Sequence, residues 1–173
     1  NEEKALATEF EAALASTNDP SDQITVLLNL ATLGHECPLE LGRVREVSPD
    51  AADLIEATAF VANDRAAEAV TLLRRHPSSA PHVELLANAL VSVGNIDEAV
   101  RLLRNAAQSL GNDSLAAAAV SMLIADARKG EAEELANQVL SLSLPRRGGT
   151  YYIRMFLLGR AEERKSPDDL IAP

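Results

Sequence analysis

Two stretches of this chain are nearly the same segment: DRAAEAVTLLRR at residues 64–75 and NIDEAVRLLRN at residues 95–105. The alanine within each stretch follows another alanine by twelve positions, as Ala99 follows Ala87. Alanine carries no side chain beyond Cβ, so two helices can approach closely where such residues meet. Self-similarity at an interval of roughly 30 residues is typical of a helical solenoid. The repeat therefore predicts paired helices that stack on one another.

The composition agrees with an all-α fold. Of the 173 residues, 47% are hydrophobic but only 3% are aromatic, and tryptophan is absent. Alanine has the highest helix propensity, and leucine packs well between helices. Apolar positions recur with a helical period over ten segments. We expect helices over residues 2–16, 22–33, 38–47, 50–62, 65–75, 80–92, 96–109, 114–129, 131–143 and 151–164.

The expected breaks between these helices carry turn and cap residues. Ser21 or Asp22 is expected to cap the second helix, because Pro20 cannot continue the first one. Ser48 is expected to be the N-cap of the next helix, and Pro49 its first helical residue. Gly130 is expected to divide the last repeated pair.

The repeated segments resemble the tetratricopeptide repeat. Residues 83–111 fit its pattern well. Residues 53–76 fit in part but depart from it at Asp53 and Glu56. Residues 119–143 keep Gly130 and the segment Glu134–Ala136. The positions of residues 83–111 that fit are Leu86, Ala87, Leu90, Gly94, Ala99, Leu103, Ala106 and Gly111.

The resemblance implies a right-handed α-solenoid of antiparallel helix pairs with about nine or ten helices. It divides one continuous domain into divergent N-terminal helices (1–48), repeats (49–143), and a C-terminal capping helix with a tail (144–173).

The charge distribution argues against nucleic acid as a partner. Residues 1–64 contain 13 of the 26 acidic residues and three basic ones, so this third alone accounts for the net charge of −10. An acidic surface repels phosphate backbones. No run of apolar residues is long enough for a transmembrane helix, so we expect no membrane insertion and a cytoplasmic location.

The sequence offers no set of catalytic groups. The histidines His35, His76 and His82 fall at expected helix ends, and His35 with Cys37 lacks the second ligand pair of a zinc site. The adjacent carboxylates at 133–134 and 162–163 point to different sides of a helix. We therefore expect no enzymatic activity, no cofactor and no metal, and the single cysteine excludes an internal disulfide.

Two helices have unusual surfaces. Residues 115–125 are apolar almost all round, which predicts a central buried helix or, alternatively, a groove or dimer contact. Residues 151–158 hold three of the five aromatic residues and are expected to cap the stack, unless they form half of a further pair. The basic residues near this end, opposite in charge to the N-terminal third, make a homodimer an open alternative.

The resemblance also implies a function. Members of this family bind a peptide or a partner helix along a concave face formed by the first helix of each pair. The corresponding positions here are Leu54, Thr58, Val61, Glu84, Asn88, Val91, Val120 and Ile124. We therefore expect a protein-interaction module that acts as a scaffold or adaptor. The alternative is a regulatory or oligomerisation arm of a larger enzyme or signalling protein.

Glu84 stands where family members that grip a C-terminal carboxylate need a lysine, so the expected ligand is an amphipathic helix or an extended apolar segment. Asn88 is expected to bond the ligand backbone, because its amide both donates and accepts hydrogen bonds.

Overall fold

The computed structural model describes residues 2–75, 79–141 and 148–163, and these ranges contain ten α-helices and no strand. The all-α prediction is confirmed. The helices are α1 (Glu2–Ser16), α2 (Pro20–Thr32), α3 (Pro38–Val47), α4 (Pro49–Ala62), α5 (Ala66–Leu73), α6 (Ala80–Ser92), α7 (Ile96–Ser109), α8 (Asp113–Ala125), α9 (Lys129–Ser141) and α10 (Gly148–Glu163).

The chain divides into two compact units, Asn1–Asn95 and Ile96–Pro173. In the first unit α4 packs against both α2 and α6, while α3 packs between α2 and α4, and α5 between α4 and α6. In the second unit α8 is surrounded by α7, α9 and α10, and α10 also contacts α9. We call α2, α4, α6 and α8 first helices, and we call the helix that follows each of them a second helix. The three-part division expected from the sequence has no boundary at residue 95.

Every first helix ends in the same turn. The backbone φ is positive at Gly34 (78°), Asp64 (59°), Gly94 (83°) and Ala127 (59°), at intervals of 30, 30 and 33 residues. In each case the next residue donates its N–H to a carbonyl five positions back, as Arg128 does to Leu123 at 2.9 Å. This pairing satisfies carbonyls that the helix end would leave unpaired. The same turn thus ends all four first helices, and a further copy ends α7, where φ is 58° at Gly111 and Asn112 donates to the carbonyl of Ala107.

The expected break at Gly130 is wrong. Gly130 lies inside α9, and the turn falls three residues earlier, at Ala127. A glycine adopts positive φ without strain, so the sequence favoured the glycine over an alanine for this position. The local energy cost at Ala127 is small enough for the packing of α8 and α9 to outweigh it.

The cap of α2 also differs from expectation. The Asp19 side chain accepts hydrogen bonds from the backbone N–H groups of Ser21 (2.8 Å) and Asp22 (3.3 Å), and Pro20 begins the helix. A proline fits there because the first helical N–H has no intrahelical acceptor in any case. Ser48 and Pro49 occupy the expected positions at the start of α4, but the Ser48 side chain makes no capping hydrogen bond.

Fully buried alanines lie on the repeated helices. Ala57 and Ala69 are fully buried on α4 and α5, which pack together, and Ala99 is fully buried on α7. The apolar helix α8 is the central helix that its composition predicted, covered on three sides by other helices. Its buried residues are Asp113, Leu115, Ala116, Ala117, Ala119, Val120 and Leu123.

Candidate functional site

Six of the predicted binding residues lie on two neighbouring first helices of the first unit. Helix α4 contributes Leu54, Thr58 and Val61, which are half-buried, and α6 contributes residues thirty positions further on. The α6 residues are all exposed, Val91 by 37%. We call this surface the first-helix face, and its members are Leu54, Thr58, Val61, Glu84, Asn88 and Val91.

Hydrogen bonding separates Asn88 from the other polar groups of the face. The Thr58 hydroxyl donates to the backbone carbonyl of Leu54, four residues earlier in its own helix, at 2.7 Å. The side-chain amide of Asn88 makes no hydrogen bond to any residue that the structure describes, and Glu84 is the one charged member of the face. Asn88 therefore offers a donor and an acceptor that its own molecule leaves available to a ligand.

Two of the three equivalent positions on α2 extend this face, and the sequence analysis missed them; the third, Ala31, is fully buried. Ile24 and Leu28 lie as far before the turn residue Gly34 as Leu54 and Thr58 lie before Asp64, and both are half-buried. Their side chains are apolar and α2 packs against α4, so the face gains hydrophobic surface on that side. The common turn reveals the equivalence, because the α2 sequence has little similarity to the other repeats.

The two residues predicted on α8 have different surroundings. Val120 is fully buried, so it has no surface to offer a partner, whereas Ile124 is half-buried. The prediction counted positions back from a turn at Gly130, whereas the turn lies at Ala127. Counted back from Ala127, the position equivalent to Asn88 is Ser121, which is half-buried. Val120 instead matches the buried Ala87. Ile124 corresponds to Val91 under the corrected count.

Two arginines join successive turns in the same way. Arg65, just before α5, binds Glu68 through two hydrogen bonds of 2.7 and 2.8 Å and also binds Glu36 at the preceding turn. Arg128, just before α9, binds Glu131 at 2.8 and 2.6 Å and Asp97 at 2.6 Å. The partners beyond the local glutamates lie 29 and 31 residues away in sequence. These two clusters therefore link neighbouring repeats.

Bidentate pairing shifts the acid–base equilibria of these groups. Hydrogen bonding to Glu68 raises the pKa of Arg65, and hydrogen bonding to Glu131 and Asp97 raises the pKa of Arg128. The same bonds lower the pKa values of Glu68 and Glu131. Planar guanidinium and carboxylate groups match each other in this geometry. The arginine and carboxylate charges of each cluster neutralise one another, which suits a structural role.

Each unit has a groove with arginine side chains beside a second helix. The groove of the first unit has a volume of about 620 Å³ and is lined by residues of α3, α4 and α5. Arg45 at its edge binds Glu56 at 2.6 Å and Asp53 at 3.3 Å, and the hydrogen bond to Glu56 raises the pKa of this arginine. The groove of the second unit is about 340 Å³ and includes Arg101 and Arg104.

Cys37 and His35 lie between α2 and α3, near acidic side chains. Burial, with smaller contributions from Glu40 and Glu11, raises the pKa of the half-buried Cys37, which keeps its thiol protonated at neutral pH and weakens it as a nucleophile. His35 lies 3.9 Å from Glu11. Within residues 2–75, 79–141 and 148–163, no three His, Cys, Asp or Glu side chains converge as a metal site would require. The expectation about His76 lies outside the described residues.

His82 has a structural role that the sequence did not indicate. It is only 5% exposed, and its Nε2 lies 2.9 Å from the backbone carbonyl oxygen of Asp50 in α4. A carbonyl only accepts, so Nε2 carries the proton and donates it. In the neutral ring Nδ1 then accepts from the Ser79 hydroxyl at 2.7 Å. His82 thus ties the start of α6 to the start of α4.

No protein-family model, no curated protein and no solved structure matches this chain. Among the helices in the described ranges, none has both the length and the apolar character needed to cross a bilayer.

Proposed function

We propose that this chain is a protein-interaction module that binds a peptide segment or a partner helix along the first-helix face. The observation that carries this proposal is the position of Asn88, an exposed amide without an internal partner, beside the exposed Val91 and on the helix next to Leu54 and Val61. An amide flanked by apolar side chains bonds a ligand backbone while the neighbours bury apolar ligand groups.

The charge of the face narrows the class of ligand. Its described residues include one carboxylate, Glu84, and no basic side chain. A receptor for a C-terminal carboxylate would need positive charge in this place. The ligand that fits is an apolar or amphipathic segment that brings little negative charge to the face.

The recurrence of one turn at intervals of 30, 30 and 33 residues supports the resemblance to the tetratricopeptide repeat. We include the repeat type, the right-handed superhelix, the scaffold or adaptor role and the cytoplasmic location in the same proposal. It further assumes that the chain acts by binding another protein and not by catalysis.

A selected peptide library tests the proposal. Peptides are selected from a displayed random library on the wild-type chain, and their affinities are measured by calorimetry for wild type, Asn88→Ala and Val91→Asp. Losing one hydrogen bond costs on the order of 1 kcal/mol, so Asn88→Ala should weaken binding several-fold to about tenfold. Val91→Asp should weaken it further, because it places a charge where apolar groups meet.

The double variant Arg101→Ala/Arg104→Ala is the matched control, since both arginines are exposed and line the groove of the second unit. It should leave the affinity unchanged. The proposal fails if the control weakens binding and the two face variants do not, because the ligand then occupies the second-helix groove. Binding should also change little between low and physiological salt.

A specific observation favours oligomerisation as a second function. Large apolar side chains on α10 are exposed, among them Tyr151 by 70% and Leu158 by 58%. Exposed apolar surface of this kind is typical of an interaction site. An oligomerisation arm would use this surface and leave the first-helix face free.

A further inference from the structure

Helix α10 has one buried side and one apolar side that is exposed among the residues that the structure describes. Ile153 is fully buried in the second unit, where α10 packs against α8 and α9. On the opposite side Tyr151, Met155 and Leu158 follow the i, i+4, i+7 spacing of a single stripe and are 70%, 50% and 58% exposed. Tyr152 beside them is 41% exposed. We call these four residues the α10 stripe.

The packing of α10 places it in the position of a first helix. It contacts α8 and α9 as α4 contacts α2 and α3. The remaining side of α4 is covered by α5 and α6. Within the described ranges no helix covers the α10 stripe, which stays exposed. A helix that caps a solenoid has a polar outer side, whereas the outer side of α10 is apolar.

Helix α1 has the complementary position. It packs against α2 through Ala7 and Phe10, as the second helix α3 packs against α4. It therefore occupies the position of a second helix. Its outer side presents small exposed residues at helical spacing, namely Ala5, Thr8, Ala12 and Ala15.

We propose that the α10 stripe of one molecule docks onto the outer side of α1 of a second copy of this chain. The two helices then form one complete pair, with a first helix from one molecule and a second helix from the other. The large side chains of the α10 stripe fill the space that the small residues of α1 leave, as large and small residues interdigitate in a packed core. This surface is separate from the first-helix face, so the proposal does not depend on peptide binding.

The charges on α10 and α1 also favour a second copy of this chain as the partner. Arg154 is an exposed charge next to the α10 stripe, while Arg160 on the same helix is half-buried and lies 3.6 Å from Glu133. On α1 two acidic residues, Glu9 and Glu11, and one basic residue, Lys4, are exposed, and Glu11 lies 3.9 Å from His35, so the exposed charge of this helix is acidic on balance. Docking of α10 on α1 brings opposite charges together, whereas docking of α10 on a second α10 brings Arg154 near its own copy. Complementary charge favours the first arrangement and suppresses the second.

The proposed contact joins different surfaces, so it is directional. A heterologous contact leaves a free α10 at one end of a dimer and a free α1 at the other, and association continues into rings or filaments. Sedimentation velocity and light scattering of the wild-type chain should therefore give a mean mass that rises with protein concentration beyond that of a dimer.

Two blocking variants test the direction of the contact. Met155→Asp puts a charge in the α10 stripe, and Ala12→Arg puts a bulky charge on α1. Because both positions are exposed, each variant should fold with an unchanged circular dichroism spectrum and melting temperature. Each variant alone should be monomeric. An equimolar mixture should form a 1:1 dimer and no larger species, because only one intact α10 and one intact α1 can meet. Gln108→Asp, at an exposed site on α7, is the control and should assemble as wild type does.

Three results would overturn the proposal. One is a wild-type chain that stays monomeric at the highest soluble concentration. Another is an Ala12→Arg variant that still dimerises by itself while Met155→Asp does not, which assigns the contact to two α10 helices. The last is a mixture of the two variants that remains monomeric although wild type assembles. Each of these outcomes leaves peptide binding at the first-helix face unaffected, so failure here is distinguishable from failure of the proposed function.

Discussion

Arg65 and Arg128 show how single residues can connect repeats in a chain with few aromatic groups. Each arginine holds a glutamate three residues ahead in its own helix and an acidic side chain at the preceding turn. Arg65 also lies 4.4 Å from the centre of the Phe60 ring, where its guanidinium gains a cation–π contact. Five donors in a fixed plane allow one arginine to make all of these contacts, which a lysine could not.

The lowered pKa of Glu131 predicts a contribution to stability that depends on pH. The pKa is lower in the folded protein than in the unfolded chain because Arg128 binds the ionised form. The stabilisation is therefore present above the unfolded value, about 4.3, and disappears as the pH falls through the lower folded value.

Urea unfolding of wild type and Glu131→Gln from neutral pH down to strongly acidic pH checks this prediction. The midpoint of wild type should fall more steeply with decreasing pH than that of the variant, and the difference should shrink in high salt, because the pair is accessible to solvent. Parallel curves for the two proteins at low salt would show that the pair contributes nothing to folding.

At the scale of elements, the docking of α10 depends on one glycine. The Thr150 backbone N–H and hydroxyl each donate to the Asp113 side chain at 2.8 Å, which brings the start of α10 against the start of α8. Gly149 lies so near the Asp113 backbone that a Cβ would overlap the carbonyl group. The close approach of these two helix ends requires a residue without a side chain.

Alanine substitution at Gly149 and at Gly159, two of the three glycines of α10, should have opposite effects. Gly149→Ala should destabilise the protein by about 1–3 kcal/mol or more, because backbone atoms of α8 cannot move aside as a flexible side chain could. Gly159→Ala is the matched control on the same helix, where a Cβ meets nothing within 4 Å. It should stabilise the protein by roughly 0.5–1 kcal/mol through helix propensity. Thermal melts of both variants measure this, and equal effects would argue against close packing at Gly149.

At the scale of the whole molecule, helices from neighbouring repeats form the cores of the two units. In the first unit Leu27 and Leu30 of α2, Val44 of α3 and Ile55 of α4 belong to one buried cluster. In the second unit α8 has almost no polar side, so its stability depends on α7, α9 and α10 together. Apolar helices of this kind need cover from several neighbours.

Removal of α10 should therefore expose apolar surface on α8. A chain that ends at residue 147 should bind a hydrophobic dye, lose thermal stability and aggregate more readily than wild type. The control is a chain that ends at residue 163, which keeps all of α10. If the chain ending at 147 matched the control in stability and dye binding, α10 would be an appendage and not part of the core of the second unit.

The sequence alone determined the class of the fold and most helix ends. Helical periodicity, prolines at helix starts and glycines at turns are properties of segments a few residues long, so they can be read before any tertiary contact is known. The resemblance of residues 64–75 to residues 95–105 likewise indicated repeated pairs. The same local reasoning placed the last turn at Gly130, because a glycine is the expected residue for positive φ and Ala127 is not.

Only the tertiary structure decided which residues of those helices face one another. The register of α8 buries Val120 and brings Ser121 to the position equivalent to Asn88. His82 meets the carbonyl of Asp50 across 32 residues, and Arg128 meets Asp97 across 31. Such contacts depend on how segments about one repeat apart stack in space. The three additional residues between Gly94 and Ala127 shift the equivalent positions on α8, while they leave the local helix signals intact.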